Sequence, residues 1–399
     1  IYNNIQVLAG ASKEEINNKE KIISLYKTRK EISYIDEIFN RNGDIITNPK
    51  DVRNVIQSLC EEMYKHIEID KNVTDFLNIV YTNNLDHMGE KITEKEVIAA
   101  IKQLNVKKCP GKDGLPAEFY CKSVDDISDI LTQVYNEGIK RGYMYTSFYE
   151  GVLSLLYKKG DKRDINNWRH LTLMNLDYKI LAKVIMNRLH EVLDVIISEE
   201  QTCCIKGRKM WDNLSIMRGL LCEKEKQSFY VVALDQRKAF DFVSRDYLWE
   251  ALKMYNFPFQ FINMIKCLYY DSKIQINVNG SLTDQFKICR GVKQGCPLSA
   301  ALYILAINPL IKKIKNDTRL KGVEIGDKNI IITAYADDIT VFIQSQYEFN
   351  IIQNYFKEYE KVSGAQLNIT KSECIWIGDE KKKFPINISE KENIKVLGI

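Results

Sequence analysis

Tyr335-Ala336-Asp337-Asp338 lies between two short runs, Ile330-Ile331-Ile332-Thr333-Ala334 and Ile339-Thr340-Val341-Phe342-Ile343. β-Branched runs of this length read as strands. The stretch therefore predicts a hairpin that carries two adjacent carboxylates on its tip, and the isoleucine-rich flanks predict burial of both strands. Neighbouring aspartates repel each other. A hard divalent cation, which takes carboxylate oxygens, would offset the repulsion. For the dipeptide alone a solvated turn is the commoner reading, so the chemistry needs a further carboxylate from elsewhere.

Asp235 is available. It ends Phe229-Tyr230-Val231-Val232-Ala233-Leu234, another strand signal, and Gln236 to Asp241 reads as a turn into helix. An aspartate at the C-terminal end of a buried strand is well placed to face a cleft. Asp235, Asp337 and Asp338 would then share two metal ions about 3.5–4 Å apart, the arrangement used for in-line phosphoryl or nucleotidyl transfer. Phe240, five positions after Asp235, would wall the same pocket. A ring there would clash with a ribose 2′-hydroxyl and tolerate deoxyribose. A core aromatic explains its spacing equally well.

Three strings, Leu234 to Asp241, Arg290-Gly291-Val292-Lys293-Gln294-Gly295-Cys296-Pro297-Leu298-Ser299 and Tyr335 to Asp338, resemble successive palm motifs of a reverse transcriptase of the non-LTR (LINE-type) retrotransposon kind. Their order over most of the chain makes coincidence an inadequate explanation. Upstream, Thr93 and Glu96 stand at capping-box spacing before Val97, Ile101 and Leu104, a helical face. Cys109 to Pro116 forms a Pro/Gly-rich loop similar to the family's loop at the start of the polymerase region, where Gly111 and Lys112 would meet nucleic acid. Leu155 to Asp161 and Asn167 to Leu173 resemble the strands of its fingers hairpin.

The resemblance implies roles. Arg169, a planar fork donor, would contact the incoming triphosphate, with Lys158 or Lys159 assisting as a point charge. Gln201 to Arg208 matches a segment that lies along the template, with Lys206 and Arg208 as its basic residues. Gln294 would contact nucleotide and template, and Tyr335 belongs with the nucleotide-binding residues. Lys371, in Ser363 to Ser372, would donate a proton to pyrophosphate. Ile394 to Ile399 looks like the start of a primer-gripping strand. Two departures stand out: the family usually has proline where His170 stands, and often glycine near Cys204.

The implied fold is α+β, a right-hand polymerase with fingers, a split βαβ palm and a helical N-terminal extension, its thumb absent or truncated. Residues 1–88 would form the extension, with a surface helix from Lys13 to Phe39. Residues 89–225 would form the fingers and residues 226–399 the palm. The implied activity is RNA-directed DNA polymerisation with two magnesium ions, manganese being an alternative. An inactive nucleic-acid-binding relic and an intron-maturase-like polymerase are the competing readings. Partners would be an RNA template, a DNA primer or target, deoxynucleoside triphosphates and an upstream endonuclease domain. An isoleucine at position 1 suggests a fragment of a longer product.

Composition is compatible with this. The 399 residues are 45% hydrophobic, enough for a large core. Net charge is only +4, from 57 basic and 53 acidic residues, so binding of nucleic acid would fall to local patches. Lys107-Lys108, Lys158 to Arg163 and Lys206 to Lys209 are the candidates. No apolar run approaches the ~18 residues of a membrane span, and no signal-peptide pattern opens the sequence. Ten cysteines without a Cys-x-x-Cys pair, beside four scattered histidines, speak against zinc and for reduced thiols in an intracellular protein. Its work would be in the nucleus, and its residence otherwise cytoplasmic.

Overall fold

Phe229–Leu234 (β1) sends alternate side chains into two apolar clusters, and the sheet is built around that strand. Tyr230, Val232 and Leu234 enter the main core, whereas Phe229 and Val231 meet Leu220, Val323 and Phe342 on the other face. Period-two alternation with both faces covered explains why the run is almost wholly apolar. In the computed structural model, which describes residues 34–70, 72–77, 84–222 and 227–397, four further strands join it. They are Ile332–Tyr335 (β2), Asp338–Ile343 (β3), Glu373–Ile377 (β4) and Ser389–Glu390 (β5). The sheet order is β2-β3-β1-β4-β5. Its neighbours are antiparallel except β4 and β5, which are parallel.

Helices Arg245–Met254, Ser299–Asn316 and Gln346–Ser363 pack on one another and supply the main core. The last begins where the Ser345 hydroxyl accepts from the Glu348 N–H and ends at Gly364, whose φ of +71° few other residues adopt. The expected capping box is present. Thr93 accepts from the Glu96 N–H, and the Glu96 carboxylate accepts from the Thr93 N–H at 2.8 Å. Val97 and Ile101 are buried behind it. Glu96 also binds Arg188 at 2.6 Å, which ties helix Glu94–Lys102 to helix Leu176–Leu189.

Two compact units form, and they do not follow the linear division into 1–88, 89–225 and 226–399. The smaller takes its described residues from Ile1–Cys60, Leu153–Leu171 and Gln275–Gln285; the larger takes the rest. Strand pairing is the reason: Glu150–Tyr157 lies between Trp168–Met174 and Lys273–Val278, so segments distant in sequence join one sheet. The smaller unit also holds a two-stranded ribbon, Ile38–Phe39 with Ile45–Ile46. The helix expected from Lys13 to Phe39 falls outside the described residues as far as residue 33, and its end is corrected to strand. The Asn40 side chain accepts from the N–H groups of Asn42 and Asp44, which favours a turn there.

At the other terminus, no strand occurs among described residues 391–397, and Gly398 and Ile399 lie outside them. The primer-gripping strand expected over Ile394 to Ile399 is therefore not formed in its described part. Ser389–Glu390 is the last strand described. All ten cysteines are free thiols. Among the described residues no helix is long and apolar enough to cross a membrane.

Candidate active site

β2 and β3 are joined by two residues, Ala336 and Asp337, with Tyr335 opposite Asp338. Ala336 has φ +54°. A left-handed conformation costs an L-residue roughly 1–2 kcal/mol, and two-residue hairpins ordinarily place Gly, Asn or Asp there. The alanine is held from outside. Its N–H donates to Gln201 Oε1 at 2.8 Å, and its carbonyl accepts from Gln201 Nε2 at 3.2 Å.

β1 lies beside β3 with Leu234 opposite Ile339. The paired register ends there, and Asp235 and Asp338 are the next residue of each chain segment beyond it. Cα atoms of opposed residues in such a pair are about 4.5–5.5 Å apart. The Asp235 main chain is fixed on both sides, its N–H donating to Ser372 Oγ at 3.1 Å and its carbonyl accepting from Asn368 N–H at 2.8 Å. Asp235, Asp337 and Asp338 thus come from two neighbouring strands to one end of the sheet. Asp338 is exposed, and the other two are half-buried.

Among the described residues no three carboxylate, histidine or cysteine side chains are gathered tightly enough to hold a metal ion. Asp337 lies in the turn, whereas Asp338 opens β3. The donor set nevertheless fits a hard divalent cation, since all three groups are carboxylates.

Phe240 follows in the short helix Ala239–Phe242, after Lys238 in a left-handed conformation. Its ring stacks on buried Tyr303, with centroids 4.8 Å apart and planes at 19°. Its remaining surface is half-exposed. Burial, then Tyr359 and after it Asp337, raises the Tyr303 phenol well above its ordinary range.

The loop from Arg290 runs along this helix. Gly291 and Val292 donate their N–H groups to the carbonyls of Val243 and Phe240 at 2.8 and 2.7 Å. Gly291 has φ +78°, and a Cβ there would come within 2.5 Å of the Asp241 carbonyl oxygen. Gln294, expected to contact nucleotide and template, donates its amide to Asp241 Oδ2 at 3.0 Å. Tyr64 donates to Oδ1 at 2.9 Å. Burial pushes the Asp241 carboxyl up to about 6, against the opposing pull of Lys238, Tyr64, Gln294 and Arg290. Lys293 is buried with its ammonium 4.2 Å from the Tyr178 ring centre, and burial, then Arg245, brings it down to about 7.

The segment expected along the template is only partly outward. Lys206 is exposed. Arg208 is not available for phosphate in the way expected, because its guanidinium donates to the carbonyls of Asp194, Ile197, Ser198 and Gln201. Those carbonyls lie in and beyond helix Leu193–Ile196, and that of Ser198 also accepts from the Gln201 N–H at 3.2 Å. Cys204 has φ +62°, so the departure from glycine falls on a left-handed residue. The adjacent thiols of Cys203 and Cys204 act on each other, raising that of Cys203 and lowering that of Cys204.

The other expected residues are dispersed. Gly111 sits against Asn175, where a Cβ would meet the backbone at 2.5 Å. Lys112 is paired with Glu150 at 2.9 Å. Lys371 is exposed in the turn before β4. Arg169, Lys158 and Lys159 are exposed in the smaller unit, the arginine on strand Trp168–Met174 and the lysines just after Glu150–Tyr157. His170, in the place of proline, is buried on the same strand as Arg169. Asp241 and Gln201 carry no sign of these roles in the sequence. Nothing local in the sequence marks their partners, which lie 53 and 177 residues from Asp241 and 135 from Gln201.

The family model described as reverse transcriptase (RNA-dependent DNA polymerase) matches residues 157–399. The Transposon TX1 uncharacterized 149 kDa protein of Xenopus laevis is 34% identical over 87% of this chain and 27% of its own length. The Retrovirus-related Pol polyprotein from type-1 retrotransposable element R2 of Popillia japonica is 27% identical over 72% of this chain and 40% of its own. The RNA-directed DNA polymerase from mobile element jockey of Drosophila melanogaster is 24% identical over 73% and 30%. The chain thus spans well under half the length of these relatives. Among solved structures, apo telomerase of Candida Tropicalis, truncated from its C-terminal domain, aligns over 62% of this chain and 55% of that one, with TM-score 0.43 and 14% identity.

Proposed function

The chain belongs to the reverse transcriptase (RNA-dependent DNA polymerase) family, and on that premise we propose that it extends a DNA 3′-end on an RNA template with deoxynucleoside triphosphates. The observation that supports this reading is the Leu234–Ile339 pairing, from which Asp235 and Asp338 are each the next residue, beside the Ala336-Asp337 turn. Asp235, Asp337 and Asp338 would hold the divalent ions. When bound, two such ions polarise the attacking hydroxyl and the phosphoryl oxygens and neutralise the leaving pyrophosphate.

The chain's own residues supply position and selectivity. Phe240, backed by Tyr303, offers a firm ring edge against a ribose 2′-hydroxyl. Arg169, with Lys158 or Lys159, takes phosphate oxygens. Gln294 fixes the loop over Asp241 rather than reaching for the nucleotide directly. The smaller unit would carry the fingers hairpin and the larger the palm. In a longer product, retrotransposition within the nucleus, beside an upstream endonuclease domain, completes the proposal.

Primer extension tests it, with RNA and DNA templates compared and Mg2+ or Mn2+ supplied. Templated addition of deoxynucleotides that is lost in Asp235→Asn and Asp337→Asn is the expected result. Addition that persists in both variants, or none by the wild type on any primed template, would reject the reading.

A further inference from the structure

We propose that Gln201 is a positioning residue for the carboxylate turn, its side-chain amide holding Ala336 in the left-handed conformation from which Asp337 and Asp338 project. The inference rests on the polymerase reading for its consequence, though not for its geometry. A single primary amide binds both main-chain polar groups of Ala336, one as acceptor and one as donor. Ala336 has no side-chain group to stabilise the turn from within, unlike the Asn or Asp usual at such a position. What favours the conformation must therefore come from a neighbour.

Gln201 is itself anchored to the strand it serves. It is fully buried, and its Oε1 accepts a second N–H, from Cys203 at 3.1 Å. Its backbone bridges Ala334 in parallel fashion. The flanking Glu200 carbonyl accepts from the Ala334 N–H at 2.8 Å, and the Thr202 N–H donates to the Ala334 carbonyl at 3.0 Å. Asn213 Nδ2 donates to that same carbonyl at 2.9 Å. Residues 200–202 thus run beside β2 as a short added strand, and the Gln201 amide continues the pairing past its end to the turn. A glutamine satisfied inside a core would need none of this alignment with the turn.

The test uses the full chain with Gln201→Met, which keeps length and removes both hydrogen bonds, and Gln201→Asn, which stays polar but is too short to make them. Ala336→Gly is added to each, because glycine adopts positive φ without the Cβ penalty. Three readouts are taken: Mn2+ affinity by calorimetric titration, kcat and KM for single-deoxynucleotide addition, and midpoint of thermal unfolding. Loss of turn position predicts about ten-fold or greater weakening of Mn2+ binding and of kcat, with KM within about two-fold. Ala336→Gly should recover part of both losses. Mn2+ affinity and kcat within about two-fold of wild type in both Gln201 variants would overturn the proposal. So would losses that track the thermal midpoint and gain nothing from Ala336→Gly. Mn2+ titration reads the turn without template or primer, so a wild type that binds Mn2+ but never polymerises would sink the functional reading alone. If Gln201→Met fails to fold, the Asn variant and its Ala336→Gly partner decide by the same criteria.

Discussion

Gln294 donates its side-chain amide to the buried carboxylate of Asp241 at 3.0 Å, across 53 residues of sequence. Gly291 closes over the main chain of the same aspartate. The loop and the helix that carries Phe240 are therefore one hydrogen-bonded assembly, and its charge is set by a carboxyl that burial holds near 6.

That raised value has a definite sign in stability. An unfolded aspartate titrates near 3.9, so between about pH 4 and 6 the folded chain binds the proton that the unfolded chain releases. The contribution is fully present below pH 4 and is lost as pH rises through 6. Asp241→Asn removes the titrating group, and a turned Gln294 amide, presenting its oxygen, would keep a hydrogen bond to the new side-chain amide. Urea unfolding at pH 4, 5, 6 and 7.5 should show the variant gaining on the wild type with pH, by roughly 3 kcal/mol at most. A pH-independent difference would show that Asp241 does not titrate in this window.

Phe240→Val should act in two ways at once, because the ring is stacked on one side and half-exposed overall. Loss of the stack should cost about 0.5–1.5 kcal/mol beyond lost area. Removal of the ring should also raise ribonucleotide incorporation relative to deoxynucleotide by about one to two decades, since steric overlap of this kind costs ~1–3 kcal/mol. Competitive incorporation measured beside thermal unfolding separates the effects. A lowered melting point with an unchanged sugar ratio would return Phe240 to the core.

Arg208 and Lys206, two positions apart, should behave as different kinds of residue. Arg208→Ala strips donors from four carbonyls and should lower stability by at least about 2 kcal/mol, with template affinity of the folded fraction little changed. Lys206→Ala should leave stability alone, weaken RNA binding and reduce the salt slope by about one. Salt-dependent binding titrations with urea unfolding on both variants make the comparison. Equal effects from the two substitutions would contradict this division.

Arg169→Lys keeps the charge of an exposed strand residue and loses the bidentate fork. The KM for deoxynucleotide should rise several-fold while unfolding stays where it was. Steady-state addition under saturating primer-template reads this directly, and an unaltered KM would take Arg169 out of triphosphate binding.

The hairpin was legible because its flanks are apolar, β-branched and buried, so one chemical property sets both strand and placement. The Thr93–Glu96 box was legible because both partners lie within one helical turn. Asp235 is legible as the residue that ends a strand, and the hairpin strand beside it follows from the pairing of Leu234 with Ile339. The inward turn of Arg208 is hidden in the sequence for the opposite reason. A guanidinium is equally suited to phosphate and to orphan carbonyls, and only the helix end beneath it decides between them. Gln201 and Gln294 also needed the fold, because an amide carries no periodic signal and their partners lie far away in sequence. The division into units escaped a linear reading because strand Lys273–Val278 joins a sheet begun more than a hundred residues earlier.

β1 is flanked by β3 and β4, and its two faces are covered by separate apolar clusters. Its amides are thus positioned to exchange with deuterium only when the larger unit opens as a whole, while the turns of the surface exchange through local fraying. Asp235 is tethered to the slow end of that range. Heating or mild denaturant should therefore silence loops long before it displaces this aspartate. A partially loosened chain would keep Asp235 in place, and would regain Asp337 and Asp338 by closing one turn instead of refolding.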